Sequence, residues 1–449
     1  MNRQQFIDAL FARAKEAGFE ACEVYYSTSD SFSVGVFKGE IIKYNVSEGL
    51  GLGFRGLYQG RMGYASTQIL DEEAIDLLLD GAKTNAELIE NDDKQFLHPG
   101  DEAYAELSIY NPALNEGSAA DKIAMARELE RLGIEYDSRI EQVDFCSVMS
   151  AEEEVAIVNT LGLNVSTRAN MIYGGVSPTA RDGEKVSSGF ATFIALNPAD
   201  IDLKAVAAEA AEKALSALDA VQIESGSMRV MFDPDTAGDL LATFSGIFSA
   251  DAAQKGLSLL KGREGESIAA ECVTLLDNPH LAGSIASQPF DGEGVATSVK
   301  KVIENGKLTT LLHNLKTAHK QGVATTANAS RGYNSTVGIA PTNFYFQPSE
   351  TSFEEMLNKL DDGLVITEVA GLHAGANAVS GDFSLSAKGY KVRGGKRAET
   401  VKQITVAGNF FQLLQNIEAV GADLKFGLPS SSQFGSPSII VKSLSVAGK

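Results

Sequence analysis

Tryptophan is absent from this sequence of 449 residues, and cysteine and histidine are scarce. The three cysteines, Cys22, Cys146 and Cys272, lie far apart, are odd in number and form no Cys-x-x-Cys pair. That excludes a disulfide scaffold and suits a reducing compartment. Five histidines are present, His98, His280, His313, His319 and His373, and none precedes a glutamate, so His-Glu-x-x-His is missing. Positive charge is also short. Lys and Arg number 38 against 59 Asp and Glu, a net charge of −21. Such a surface repels phosphate backbones, so direct nucleic-acid binding is not expected. The densest basic stretch, Lys388 to Lys402, holds six cations, and its glycines predict a solvated hairpin. No apolar run approaches the ~20 residues of a membrane span. The opening MNRQQFIDALFARAKEAG is a charged amphipathic helix, unlike a signal peptide. A cytoplasmic protein without a membrane partner is the expectation.

Common catalytic patterns are equally thin. No Gly-x-Ser-x-Gly elbow occurs, and Ser-x-x-Lys at Ser258–Lys261 and Ser298–Lys301 lacks companion motifs. The cysteines sit in or near apolar runs, which predicts buried, inert thiols. GLGFRG at 51–56 matches the dinucleotide fingerprint in letters, but the chain continues LYQGRMGYAS, another strand, where the fingerprint needs a helix. Leu50, Leu52 and Phe54 alternate with Gly49, Gly51 and Gly53. That pattern predicts a strand whose glycine side is closely approached by another segment.

What is present is organisation. Helical periods at 4–17 and 121–133 each precede a set of strand-like runs, about 22–68 and 140–194. Both sets end in a similar hairpin, QGRMGYAST and DGEKVSSGFATF, and each leads into a longer helix, 71–90 and about 200–218. Gly63 and Gly189 stand 126 residues apart in the two hairpins. A duplicated helix–strands–helix unit is the reading, with copies about 1–97 and 120–220 joined by a polar connector at 98–119. Beyond it, 221–449 is read as a second, sheet-rich domain with several helices. Its strand-like runs include CVTLLDNP, FYFQPS, DFSLSAKGYKV and PSIIVKSLSVAG. Asn305-Gly306 between apolar runs marks a type I′ hairpin. Helices are predicted at about 310–321, 352–360 and 409–419. The fold class is α+β, because regular β–α–β spacing is missing.

The segment DPDTAGDLLATFSGIFSADAAQKG, 233–256, predicts a helix. Asp233 caps it, Pro234 opens it and Gly256 stops it. Leu240, Leu241, Phe244, Ile247 and Phe248 form one apolar stripe. His313 and His319, six apart on the expected 310–321 helix, would point in different directions. His373 lies in GLHAGANAVSGDFSL, a small-residue loop that is as consistent with a plain turn as with the lining of a site.

Three stretches carry a resemblance: EGLGLGFRGLYQGRMGYAST, VIENGKLTTLLHNLKTAHKQGVATTANASRG, and GLHAGANAVSGDFSLSAKGYKVRGGKRAETVKQITVAGNFFQLLQNIEAVGADL. Together they resemble the PmbA/TldD family, once called modulators of DNA gyrase and regarded as metallopeptidases, over nearly the full chain. In the TldD branch a His-Glu-x-x-x-His motif after two aliphatic residues binds zinc. The PmbA branch, also called TldE, lacks it and pairs with a TldD-like subunit. If Leu240-Leu241 match the aliphatic pair, the ligand positions fall on Ala242, Thr243 and Ile247, and no histidine lies between His98 and His280. The resemblance therefore implies a chain with no catalytic residue, metal or cofactor of its own. It implies the metal-free half of a cytosolic heterodimeric protease acting on unstructured peptides and peptide maturation, with zinc in the partner. Two alternatives remain. One is a non-enzymatic peptide-binding or regulatory homodimer. The other is an autonomous metallopeptidase whose ligands are drawn from His313, His319 or His373. Local sequence character suggests that Asn328, Arg331, Asn334, His373, Asn377, Ser380 and Asp382 face substrate or partner.

Overall fold

The structure, a computed structural model, describes residues 1–90, 93–100 and 103–449. Two chemically similar stretches build its first half. Helix α1 (Arg3–Glu16) is followed by strands β1 (Ala21–Phe37), β2 (Glu40–Tyr58) and β3 (Arg61–Thr67), then by α2 (Glu72–Glu87). After a connector containing the helical turn α3 (Ala113–Glu116), the pattern returns. It runs through α4 (Ala119–Glu135), β4 (Ile140–Asn159), β5 (Asn164–Asp182), β6 (Lys185–Ser188), β7 (Ala191–Ala195) and α5 (Leu203–Ser216). Capping explains the sharp starts. Asn2 and Ser118 each accept a hydrogen bond from the backbone N–H three residues on, and the side chain at that position accepts one from the cap's own backbone N–H.

The two copies share one antiparallel sheet, in the order β3-β2-β1-β4-β5-β6, with β7 also on β5. β1 joins them by pairing β2 on one side and β4 on the other. Alternation along the strands decides what each face does. Val24, Tyr26, Leu52 and Phe54 pack under α1 and α2, while Phe32, Val34, Val148 and Val176 pack under α4 and α5. In the first copy β3, and in the second the chain just past β6, lies against the following helix at one glycine. A Cβ on Gly63 would collide with the Ala82 carbonyl oxygen, and one on Gly189 with that of Ala210. The pair singled out by sequence therefore makes the same close approach to helix backbone twice.

The second half folds differently. It begins with β8 (Gly226–Phe232), α6 (Pro234–Phe244), α7 (Ala250–Gln254) and β9 (Leu275–Asp277). β10 (Lys300–Glu304) and β11 (Lys307–Leu308) form a hairpin at Asn305-Gly306, whose φ values of 47° and 80° are those a type I′ turn requires. Then come α8 (Leu315–Gln321), β12 (Ala329–Ser330), β13 (Gly338–Ile339), β14 (Asn343–Phe346), α9 (Phe353–Leu360) and β15 (Gly363–Ala370). α10 (Leu372–Gly375), β16 (Asp382–Arg393), β17 (Lys396–Asn409), α11 (Phe410–Gln415) and β18 (Ile417–Val420) follow. The chain finishes with β19 (Lys425–Phe426), β20 (Gln433–Ser436) and β21 (Ile439–Ala447). Two six-stranded sheets result, β11-β10-β9-β14-β20-β19 and β17-β16-β15-β8-β21-β18. β21 also reaches β17, so five strands of the second sheet close on themselves. The whole is an α+β fold.

Several expectations need correction. The 233–256 helix is three pieces, because it tightens to a 3-10 turn at Ser245–Phe248 before α7. The 310–321 helix begins at Leu315, where Asn314 caps it. His313 therefore precedes the helix and is buried, its ring bonded to Thr317 Oγ1 at 3.3 Å. The 409–419 helix stops at Gln415, since Ile417 joins strand β18. Cys272 is exposed, whereas Cys22 and Cys146 are buried.

Candidate functional site

Helix α6 begins where sequence predicted. Asp233 Oδ1 accepts from Thr236 N at 2.9 Å, and Pro234 occupies the first turn. The helix threads the largest apolar core, where Leu240, Leu241, Phe244, Ile247 and Phe248 are all buried. Phe244 stacks on Phe410 with centroids 4.6 Å apart and planes at 14°. Ala242 and Ile247 present methyl groups, and the Thr243 hydroxyl donates to the Asp239 carbonyl at 2.8 Å. Among the described residues no group of three His, Cys, Asp or Glu side chains is placed to hold a metal ion. A hydrolytic zinc needs three or four converging N, O or S donors. The residues around α6 do not fit that group.

Loop 371–382 lies beside α6 through α10. It is a self-satisfied turn. Asn377 Oδ1 accepts from Val379 N at 2.9 Å and Ser380 N at 3.1 Å, and Asn377 N donates to Asp382 O. Asn409 Nδ2 donates to Ser380 O and to Asp382 Oδ1, both at 2.8 Å. Donation from Asn409 and Ser380 holds the Asp382 carboxyl below its usual range. His373 is exposed on α10. Asn377, Ser380 and Asp382 are thus brought together, with His373 at the entrance to their loop.

The other sequence candidates lie elsewhere. Asn328 is wholly buried, donating to Asp277 Oδ2 at 2.6 Å and Ala340 O at 3.1 Å, so its amide is consumed inside the fold. Asn334 is exposed in the turn after Arg331. Arg331 enters the interior, where it joins a knot of buried charge. Glu23 on β1 stands opposite Arg55 on β2 and beside Asn159 on β4. Arg55 Nε donates to Glu23 at 2.7 Å, and its Nη1 donates to Glu293 at 3.1 Å. Arg331 Nη2 donates to the same Glu23 oxygen, and its Nε to Gly292 O at 2.7 Å. The Glu23 and Arg55 side chains are 0% exposed and those of Arg331 and Glu293 3% and 4%, so none relies on water. Burial alone would raise the Glu23 carboxyl, but Arg55 and Arg331 overcome it and hold Glu23 below its usual range. Burial opposes charge on Arg55 as well, and there the two glutamates prevail.

Glycine on β2 makes room for this knot. A Cβ on Gly51 would enter the Tyr333 ring, and one on Gly53 would strike the Tyr333 backbone. The close approach inferred for that side of the strand is therefore made by the segment that carries Arg331. Arg331 also lies over the Tyr25 ring, 4.8 Å from its centroid.

A cleft opens beside the knot, between the sheet of the first half and loops 285–292 and 430–431 of the second. Its volume is about 220 Å³. Tyr25, Glu153, Val155, Thr167 and Ala169 form one wall, and Arg331 and Asp291 close the inner end. Asp291 accepts from the backbone N–H groups of Glu293, Val295 and Ala329. Burial and the Glu293 charge push its carboxyl upward against those bonds.

Sequence reasoning missed Glu23, Glu153, Asp291 and Glu293, and missed Arg55 although the signal was visible. Arg55 has the parity of Gly49, Gly51 and Gly53. A cation on the face that another segment approaches needs a buried counter-charge. The acids from distant segments carry no local mark.

Comparison with known proteins gives three matches to family profiles: PmbA/TldA metallopeptidase domain 1 over residues 22–86, the central domain over 113–218 and the C-terminal domain over 225–448. A proposed modulator of a DNA gyrase from Thermotoga maritima superposes with a TM-score of 0.92 at 35% identity, covering 99% of this chain and 100% of that one. TldE from Thermococcus kodakarensis shares the fold, with a TM-score of 0.89 at 23% identity over 99% of this chain and 100% of its own. Metalloprotease PmbA of Escherichia coli O157:H7 is 28% identical over 442 residues, 96% of this chain and 93% of that protein.

Proposed function

The chain belongs to the PmbA/TldD metallopeptidase family, and from that premise we propose that it is the metal-free subunit of a cytoplasmic two-subunit metalloprotease. Its partner is a TldD-like chain that supplies the zinc, and the pair cleaves unstructured peptides. One observation carries the reading: α6 and the 3-10 turn after it offer the methyl groups of Ala242 and Ile247 and an already bonded Thr243 hydroxyl where a zinc-binding relative needs donors. Methyl groups neither hold a metal nor position a water.

Two features support the role of a chamber wall. β3 covers β2 only from Leu52 to Tyr58, so the edge of β2 from Glu40 to Gly51 has no strand beside it among the described residues. Ile42, Tyr44 and Val46 are exposed along that edge. An extended chain can add there by main-chain hydrogen bonds with little demand on sequence. No helix among the described residues is long and apolar enough to cross a membrane.

The test is reconstitution. The purified chain is mixed with a TldD-like subunit from the same source and assayed on casein, with metal content measured on each subunit. Activity should need both chains and metal should travel with the partner. Full activity of the partner alone, or stoichiometric zinc bound to this chain alone, defeats the proposal.

A further inference from the structure

Glu153 is a carboxylate with no hydrogen-bond or ion-pair partner among the described residues, and it lines the cleft beside the buried knot. Its isolation follows from register. The residues directly opposite it are Ser29 on β1 and Ala169 on β5, and neither carries charge. Arg168 points to the other face, where it pairs with Glu152. Arg331 is held inward by Glu23 and Gly292. Asp291 is already satisfied by three backbone donors, so it makes no claim on a guest.

The cleft is shaped for something small. Small-molecule sites usually enclose about 300–1,000 Å³, and this one encloses about 220 Å³. That is room for one amino-acid side chain or chain end. Val155, Ile109 and Phe290 give it apolar walls that suit a hydrocarbon stem, with Glu153 as the polar end. The charge balance adds direction. Glu23 and Glu293 are matched by Arg55 and Arg331, whereas Glu153 has no matching cation among the described residues, so it is the group left to attract positive charge.

The geometry points to this cleft as a binding site for the alkylammonium group of a peptide, a lysine side chain or a free amino terminus, with Glu153 as its acceptor. The inference rests on the peptide-handling role proposed above and adds a chemical preference to it. Glu153 stands at the mouth of the cleft, where its side chain is reached by water. Burial raises its carboxyl and nothing nearby lowers it, which an incoming ammonium would reverse.

Binding is measured by calorimetry on the full chain alone, so the result does not depend on whether a zinc subunit is needed for cleavage. Three ten-residue peptides are compared. One is acetylated with a central lysine, one is acetylated with norleucine there, and one has norleucine and a free amino terminus. The inference expects at least one amine peptide to bind about tenfold tighter than the neutral one, as a hydrogen bond to a charged group allows. Glu153→Gln should erase that difference while leaving the weak binding of the neutral peptide. Thr167→Lys, which puts a cation into the same wall, should erase it independently. Equal binding of all three peptides, or a preference that survives both substitutions, overturns the inference.

Discussion

Removing Arg55 and Glu23 together should cost the protein less than the two separate removals added. Arg55 neutralises two carboxylates, Glu23 at 2.7 Å and Glu293 at 3.1 Å, and its side chain is wholly buried. In Arg55→Met, Glu23 keeps Arg331, but Glu293 is left with one backbone donor, Leu315 N at 2.8 Å. Breaking a buried ion pair from one side costs about 3–5 kcal/mol. In Glu23→Gln/Arg55→Met the knot retains Glu293 and Arg331, one charge of each sign. The double variant should therefore lose less than the sum of the singles, by about 1–3 kcal/mol, the range seen for contacting residues. Urea denaturation of the four proteins at pH 8 measures this. Additive losses, or a cost for Arg55→Met below about 1 kcal/mol like that of a surface pair, would refute the electrostatic account of the knot.

Other expectations follow from particular contacts. Gly63→Ala and Gly189→Ala should each destabilise by about 1–3 kcal/mol, the cost of overpacking, because each new methyl meets helix backbone that cannot rotate away; equal stability of either variant in urea would count against the repeated approach. Acid should weaken the protein through Glu23. Its folded pKa is depressed, so its contribution is present above the unfolded value of about 4.3 and is lost as pH falls below it. A Glu23→Gln chain should lose stability less steeply below pH 4 than the parent. Thiol reagents should modify Cys272 first in the native chain, since it is exposed and burial pushes the Cys22 and Cys146 thiols up to about 12; labelling of Cys22 at the rate of Cys272, read by mass spectrometry, would contradict this.

Local signals were legible in the sequence where local physics decides structure. Periodicity located α1, α2, α4 and α5, and turn chemistry located the Asn305-Gly306 hairpin. Even the glycine side of β2 was legible, because an unoccupied face implies an intruder. Helix ends were less so. The 310–321 stretch is apolar enough to look helical from Thr310, but the Asn314 cap outbids that pattern and leaves Thr310–His313 extended. The 409–419 stretch stops early because pairing with β21 captures Ile417 and Val420. The site resisted reading for the same reason: Glu23, Arg55, Glu293 and Arg331 are drawn from four segments, and only folding makes them neighbours. Of the candidates, Asn377, Ser380 and Asp382 share one turn because they are close in the chain, whereas Asn328, expected to face substrate or partner, bonds Asp277 in the interior.

The knot has a bearing on how the chain is made. Each half contributes one acid and one base, Glu23 with Arg55 from the first and Glu293 with Arg331 from the second. A ribosome releases the amino-terminal half first, and that half emerges with its interior pair already matched. It can collapse without an orphaned charge while the remaining residues are still being synthesised. When the later half arrives, Glu23 and Arg55 stay paired while Arg331 joins the glutamate and Glu293 the arginine, so assembly of the halves needs no step in which a bare ion waits in a dry interior.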